Sequence, residues 1–140
     1  MYKLGDIFIV DFGEKKNNVQ SGFRPAIIVS NNLGNLNSPN VIVVPITSKM
    51  KKMNMPTHIL IKKSQNGLKC DSIALCENLL TVSKEQLIKR IGTLNPADMS
   101  NITIGIMLAT TSLCYIKEND RNSFVDYISS YGEKINKISA

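Results

Sequence analysis

The spacing of apolar residues changes once along this chain, and the change limits the folds open to it. Up to Leu94 apolar residues come in short runs rich in β-branched side chains; from Pro96 onward they recur every three or four positions. Short alternating or continuous apolar runs read as strands, and the wider spacing reads as one face of a helix. Strands followed by helices predict an α+β architecture, most simply a small twisted antiparallel β-barrel with short peripheral helices and a longer C-terminal helix. A doubly wound sheet, which needs the two element types to alternate, is disfavoured.

The elements follow from local signals. Gly5-Asp6 turns into a first strand, with Ile7, Ile9 and Phe12 assigned to one side and Phe8 and Val10 to the other. Gly13 to Gly22 is polar and reads as a long exposed loop, a segment type that often carries function. Ala26-Ile27-Ile28-Val29 is a short buried strand, the Asn-rich stretch from Asn31 to Asn40 a second loop, and Val41 to Ile46 a strand buried on both faces. Thr47 suits the N-cap of a short helical turn through Lys52. Thr57 to Lys62 and Asp71 to Leu75 read as strands separated by a break at Gly67. Ser83 with Gln86 makes a capping box, which predicts a helix through Arg90 ended by Gly92. Asn95-Pro96 opens the principal helix, carried by Met99, Ile102, Ile106, Ala109, Leu113 and Ile116. After a linker at Glu118 to Asn122, Phe124, Ile128, Tyr131, Ile135 and Ile138 form the apolar face of a terminal helix, in which Gly132 costs about 1 kcal/mol relative to Ala.

At 140 residues with 43% apolar content the chain can bury one core without disulfides or metals. Cys70, Cys76, Cys114 and the lone His58 show no metal-ligand spacing, so no metal or cofactor is implied. The three cysteines read as ordinary buried thiols. An odd cysteine count, and an opening Met1-Tyr2-Lys3-Leu4-Gly5-Asp6 without a signal-peptide pattern, predict a cytoplasmic protein with reduced thiols. No apolar run reaches the roughly 18 residues a membrane span requires. Seventeen Lys and Arg against eleven Asp and Glu give +6, a modest bias towards an anionic partner.

Gly5-Asp6-Ile7, Gly22-Phe23-Arg24-Pro25 running into Ile28-Val29-Ser30-Asn31, Pro45-Ile46-Thr47-Ser48 and Pro56-Thr57-His58 stand in an order and spacing similar to the MazF/PemK family of toxin ribonucleases. Gly67-Leu68, Asp71-Ser72, Glu77-Asn78, Thr81-Val82 and Gly92-Thr93-Leu94 extend the resemblance, which covers about residues 4 to 116. It implies an SH3-like barrel, a homodimer, metal-independent cleavage of single-stranded RNA at short preferred sequences, and neutralisation by a cognate antitoxin.

Metal-free RNA cleavage by attack of the ribose 2′-OH needs a proton acceptor, a proton donor and stabilisation of an anionic phosphorane. The resemblance gives Arg24 a catalytic role, and a guanidinium that stays protonated and bridges two phosphate oxygens suits it. It gives Thr47 the scissile phosphate, a role compatible with the N-cap. Glu77 aligns with an acidic residue serving as general base in the PemK-like branch; the alternative is a glutamate bonding loop amides. Gln20, Phe23, Ser48, Lys49, Lys52 and Asn78 are the expected RNA contacts, Phe23 having a core role as its alternative. His58 is expected to be structural or to face the antitoxin.

Two departures stand out: Val19 occupies the position of a loop glutamate, and Asn78 and Leu80 stand where relatives often carry Gln and Arg. Val19 and Leu80 favour a rival reading, a non-catalytic nucleic-acid- or protein-binding barrel; a second rival, a gyrase-targeting toxin of the CcdB type, has the Arg24 and Thr47 contexts against it. The resemblance divides the chain into a domain at 1–117 and an amphipathic extension at 118–140. The extension is expected to pack on the barrel or across a dimer, the alternative being that it fills the antitoxin groove.

Overall fold

A computed structural model of the chain describes residues 1–15, 21–50, 55–110 and 116–136. The β-branched runs form β1 (Asp6–Asp11), β2 (Phe23–Ile28), β3 (Asn40–Thr47), β4 (His58–Ile61), β5 (Ser72–Leu75), β6 (Leu80–Ser83) and β7 (Leu87–Thr93). Three helices are described: α1 (Asn32–Asn37), α2 (Pro96–Thr110) and α3 (Arg121–Asn136). The strands pair antiparallel in the order β4-β5-β3-β2-β1-β7, with β6 also on β3. β3 serves three partners along its length, β6 through Asn40–Val43, β2 through Val43–Pro45 and β5 through Ile46–Thr47. Among the described residues β4 and β7 do not pair, so the barrel is not closed. The α+β class expected from the order of apolar periods is the architecture found.

Alternation along the strands feeds two cores. Ile7, Ile27, Val44 and Ile46 pack with Ile61, Cys76 and Ile102 beneath α2, while Phe8, Val10, Ala26, Ile28, Val41 and Val43 join Val82 and Leu87 on the other face. Burying each Ile or Val in this way stabilises the fold by about 1.5–3 kcal/mol. Phe12 packs with Phe8 and Val10 rather than with Ile7, because the side-chain period in a strand is two.

Four local expectations are corrected. The capping box is present, with Ser83 N–H donating to Gln86 Oε1 at 2.9 Å, but it holds only a single 3-10 turn at Lys84–Gln86. The residues expected to extend it as a helix are β7, since Leu87 to Thr93 find an open edge on β1, and Arg90 Nε clasps Asp6 Oδ1 at 3.0 Å. The Asn-rich segment read as a loop contains α1, capped by Asn31 Oδ1 on Gly34 N–H at 2.8 Å. Leu80 to Ser83, not read as an element, form β6 on the N-terminal half of β3.

Asn95 caps α2 through Asp98 N–H at 2.8 Å, as its place before Pro96 predicts. Leu113, expected on the face of that helix, lies outside the described residues, and Ile116, also expected there, stands in a bend beyond α2. The expected linker is a 3-10 turn at Glu118–Asp120 that leads into α3. α3 buries no residue fully; it leans on α1, where Asn32 N–H donates to Asn136 Oδ1 at 3.2 Å, and leaves Ile128 and Tyr131 exposed.

Candidate functional site

The register of two ladders builds the site. β2 and β3 pair Ala26 with Pro45, Ile27 with Val44 and Ile28 with Val43. Beyond Ala26 and Pro45 the two strands take other partners, Arg24 pairing with Val10 of β1 and Thr47 with Ile73 of β5. Arg24 and Thr47 both line a cleft of about 660 Å³, floored by Ile9, Pro25, Ile46, Leu68 and Ile91. Ser48 and Lys49 continue its wall from β3, and Phe23 stands at it with 68% of its surface exposed, which selects the surface reading of that ring over the core one.

Arg24 is anchored by one nitrogen, its Nε–H donating to the Ser21 carbonyl at 2.9 Å. Holding a guanidinium by Nε fixes its plane and leaves the paired terminal nitrogens as the fork that grips phosphate oxygens. Thr47 is buried, and its Oγ1 accepts from Lys49 N–H at 3.2 Å. That is the capping bond expected of it; the turn beyond falls partly among residues 51–54, outside the described ones. An acceptor bond leaves the hydroxyl hydrogen available to donate.

Two more cations line the cleft, Lys69 and Lys89, so that with Arg24 and Lys49 there are four and no carboxylate among the described lining residues. Neither lysine stands out in the sequence. Lys89 lies in a segment that resembles a capped helix, yet as a strand its spacing from Ile91 would have set both on one face. Cys70 also lines the cleft and is exposed, contrary to the expectation of a buried thiol. Cys76 is buried, and burial, aided by the Glu77 charge, pushes its thiol up to about 11.

Glu77 and Asn78 lie elsewhere, in a 3-10 turn after β5. Ile73 is the partner of Thr47, and Glu77 comes four residues further on, past the end of β5 and not among the residues that line the cleft. The β4–β5 ladder sets His58 opposite Leu75 and so beside Glu77. There His58 Nε2 meets Glu77 Oε1 at 2.5 Å, and Thr57 Oγ1–H donates to Glu77 Oε2 at 2.9 Å. The His58 side chain is only 5% exposed, which fits its structural reading. Partial burial pushes the Glu77 carboxyl up, but its own backbone N–H, the His58 ring and the Thr57 hydroxyl together hold it below the ordinary 4.5. Gln20 and Lys52 lie outside the described residues.

A lowered carboxyl contributes stability that is fully present above the unfolded glutamate value of about 4.3 and lost as the pH falls through the lower folded value. Urea midpoints from pH 7 down to pH 3 are therefore expected to fall less steeply on the acid side in Glu77→Gln than in the wild type. Parallel curves would show that the contact adds nothing to folding.

A small open antiparallel barrel with a cleft at its strand ends, in which every charged residue among the described lining is a cation, has the electrostatics to grip a polyanion. Residues 3–110 match the family of PemK-like, MazF-like toxins of type II toxin-antitoxin systems, and the chain belongs to that family. It is 35% identical over 106 residues, 76% of this chain and 88% of the relative, to Endoribonuclease MazF of Staphylococcus saprophyticus. Among solved structures it resembles a mycobacterial endoribonuclease determined in complex with its cognate antitoxin (TM-score 0.67, 24% identity, 80% of this chain and 97% of that one). It also resembles MazF from Deinococcus radiodurans (TM-score 0.67, 14% identity, 78% and 96%). At these identities the structures speak for the fold, which is the one expected from the sequence.

Proposed function

We propose that the cleft binds single-stranded RNA and that the chain is a toxin endoribonuclease, cutting at short preferred sequences by attack of a ribose 2′-OH on the adjacent phosphorus without a metal. The observation that carries this is that Arg24 and Thr47 line one cleft, with four cations and no carboxylate among its described lining residues. Arg24 stabilises the charge that develops on the phosphorane, and the Thr47 hydroxyl donates to the scissile phosphate. The cleft's contribution is electrostatic and positional, since no imidazole or carboxylate is among its described lining residues; the proton of the attacking 2′-OH passes to water, and the leaving 5′-oxygen takes one from water. Glu77, committed to His58 and Thr57, has a structural role in this reading.

The test is incubation of long single-stranded RNAs with the protein in the presence of EDTA, followed by mapping of the ends. Discrete cuts leaving 2′,3′-cyclic phosphates are expected; a folded protein that leaves several RNAs intact overturns the proposal.

Family membership supports a cognate antitoxin as partner, a homodimer as the working state and the cytoplasm as its place of action. No helix among the described residues is long and apolar enough to cross a membrane. Residues 1–117 form the ribonuclease domain and 118–140 an accessory extension that carries α3, because the family match ends at 110 and no described residue of α1 or α3 lines the cleft. Ending the chain after Lys117 is accordingly expected to leave the cleavage rate unchanged within about twofold, with circular dichroism confirming the fold. A gain of tenfold or more would instead assign α3 an inhibitory function.

A further inference from the structure

The cleft's cations come from two structures of different kinds. Arg24 and Lys49 stand at the open ends of β2 and β3, whereas Lys89 projects from β7 and Lys69 from the connection between β4 and β5. β1 lies between β2 and β7, and Pro25, Ile9 and Lys89 are in register across the three strands. Two strand spacings of roughly 4.8 Å separate the Lys89 backbone from Pro25, so Lys89 enters the cleft across β1, on the side of β2 away from β3.

Lys69 is displayed from a connection that is tied down at each turn. Asn66 is 3% exposed, its side chain donating to the Lys62 carbonyl at 3.0 Å and accepting from Leu68 N–H at 3.1 Å. Asp71 Oδ1 accepts from Lys63 N–H at 2.7 Å, closing the same connection at its far end. Leu68 is buried in the core, and Gly67 lies against the backbone of Ile91 and Gly92 on β7. Lys69 follows this anchor directly, so its backbone is fixed beside the strand that carries Lys89. A prearranged backbone loses little freedom when a ligand is bound.

Charge pairing separates these lysines from their neighbours. Arg90, adjacent to Lys89, is committed to Asp6, whereas among the described residues neither Lys69 nor Lys89 has an acidic partner. Two uncompensated ammonium groups on a rigid wall, sharing a cleft with Arg24, make a place for a second negative charge of the same ligand.

We infer that Lys69 and Lys89 form a second phosphate subsite, which holds a phosphodiester flanking the bond that Arg24 and Thr47 act on and lays single-stranded RNA across β7. This rests on the RNA reading above and adds a direction to it: substrate must extend from the cut towards β7. Lysines act on phosphate as point charges without reading bases, so the subsite sets position on the strand rather than sequence preference.

The experiment uses the full-length protein and a single-stranded RNA containing a mapped cut, prepared also with one uncharged methylphosphonate linkage at each flanking position in turn. In wild type one flanking linkage is expected to raise KM when neutralised. In Lys69→Gln/Lys89→Gln, KM for unmodified RNA is expected to rise roughly tenfold with a smaller fall in kcat, and that linkage is expected to lose its effect. The slope of log KM against log salt should decrease by about 0.7, the value for one phosphate on a single strand. Lys69→Arg/Lys89→Arg, which keeps both charges, should stay near wild type. If wild type cuts but the Gln variant matches it in KM, salt slope and methylphosphonate profile, the subsite is refuted while the RNA reading stands. Equal losses in the Gln and Arg variants would make the lysines structural and also refute it. A wild type that neither cuts nor binds RNA refutes both.

Discussion

Alanine in place of Arg24 is expected to lower the single-turnover rate of RNA cleavage by about 10³-fold, the range found when a main donor to a developing anion is removed. The loss should appear in kcat more than in KM, because Lys49, Lys69 and Lys89 still supply charge for ground-state binding in the same cleft. Folding should change little: Arg24 is half-buried, and the bond lost is one Nε–H to the Ser21 carbonyl, worth about 1 kcal/mol. Lysine at the same position should recover only a small part of the rate. Its ammonium reaches a phosphate but cannot anchor one nitrogen on Ser21 and offer two others as a fork. Rates on a mapped cut, with circular dichroism of each variant, decide the matter. A folded Arg24→Ala enzyme within tenfold of wild type would remove Arg24 from the chemistry.

The sequence makes some of this site legible and hides the rest for identifiable reasons. Short apolar runs announce strands, and the Gly-Phe-Arg-Pro string marks Arg24 as a flexible head at the foot of a buried strand. That Arg24 and Thr47, twenty-three positions apart, share one cleft depends on the pairing of Ala26 with Pro45 just before them, which no local pattern encodes. Glu77 shows the converse. Its place after a strand is readable, but its partner is set by the pairing of His58 with Leu75, and that register turns it from the cleft towards a histidine.

β7 was hidden by a true local signal. Ser83 and Gln86 do form a capping box, which satisfies amides only at a helix start and has no hold on residues a turn later. The free edge of β1 decides for Leu87 to Thr93, and Lys89 goes with them into the cleft. α1 escaped for a related reason: asparagines favour turns in isolation, yet Asn31 here caps a helix and Asn35 is buried, accepting from Ser30 Oγ–H and donating to the Ser30 carbonyl.

Alanine at Gly67 is expected to destabilise the protein by about 3–5 kcal/mol, and alanine at Gly92 by somewhat less. The two glycines are pressed together: a Cβ on Gly67 would lie 1.9 Å from the Ile91 carbonyl oxygen, and one on Gly92 would lie 1.9 Å from that of Asn66. Both obstacles are backbone, so neither a rotamer change nor a bent side chain relieves them. Gly67 also holds φ at +87°, a conformation costing an L side chain about 1–3 kcal/mol, and Gly92 carries no such φ. The difference between the variants therefore measures backbone strain, and their shared loss measures the close approach.

Against a typical total stability of about 5–15 kcal/mol, Gly67→Ala approaches unfolding at ordinary temperature, and urea midpoints of both proteins provide the measurement. Losses below about 0.5 kcal/mol in both would mean that the connection carrying Lys69 is not locked to β7. If instead Gly92→Ala remains folded with its connection displaced, KM for RNA should rise more than kcat falls, because the lysine would have moved while Arg24 and Thr47, set by the β2–β3 register, had not.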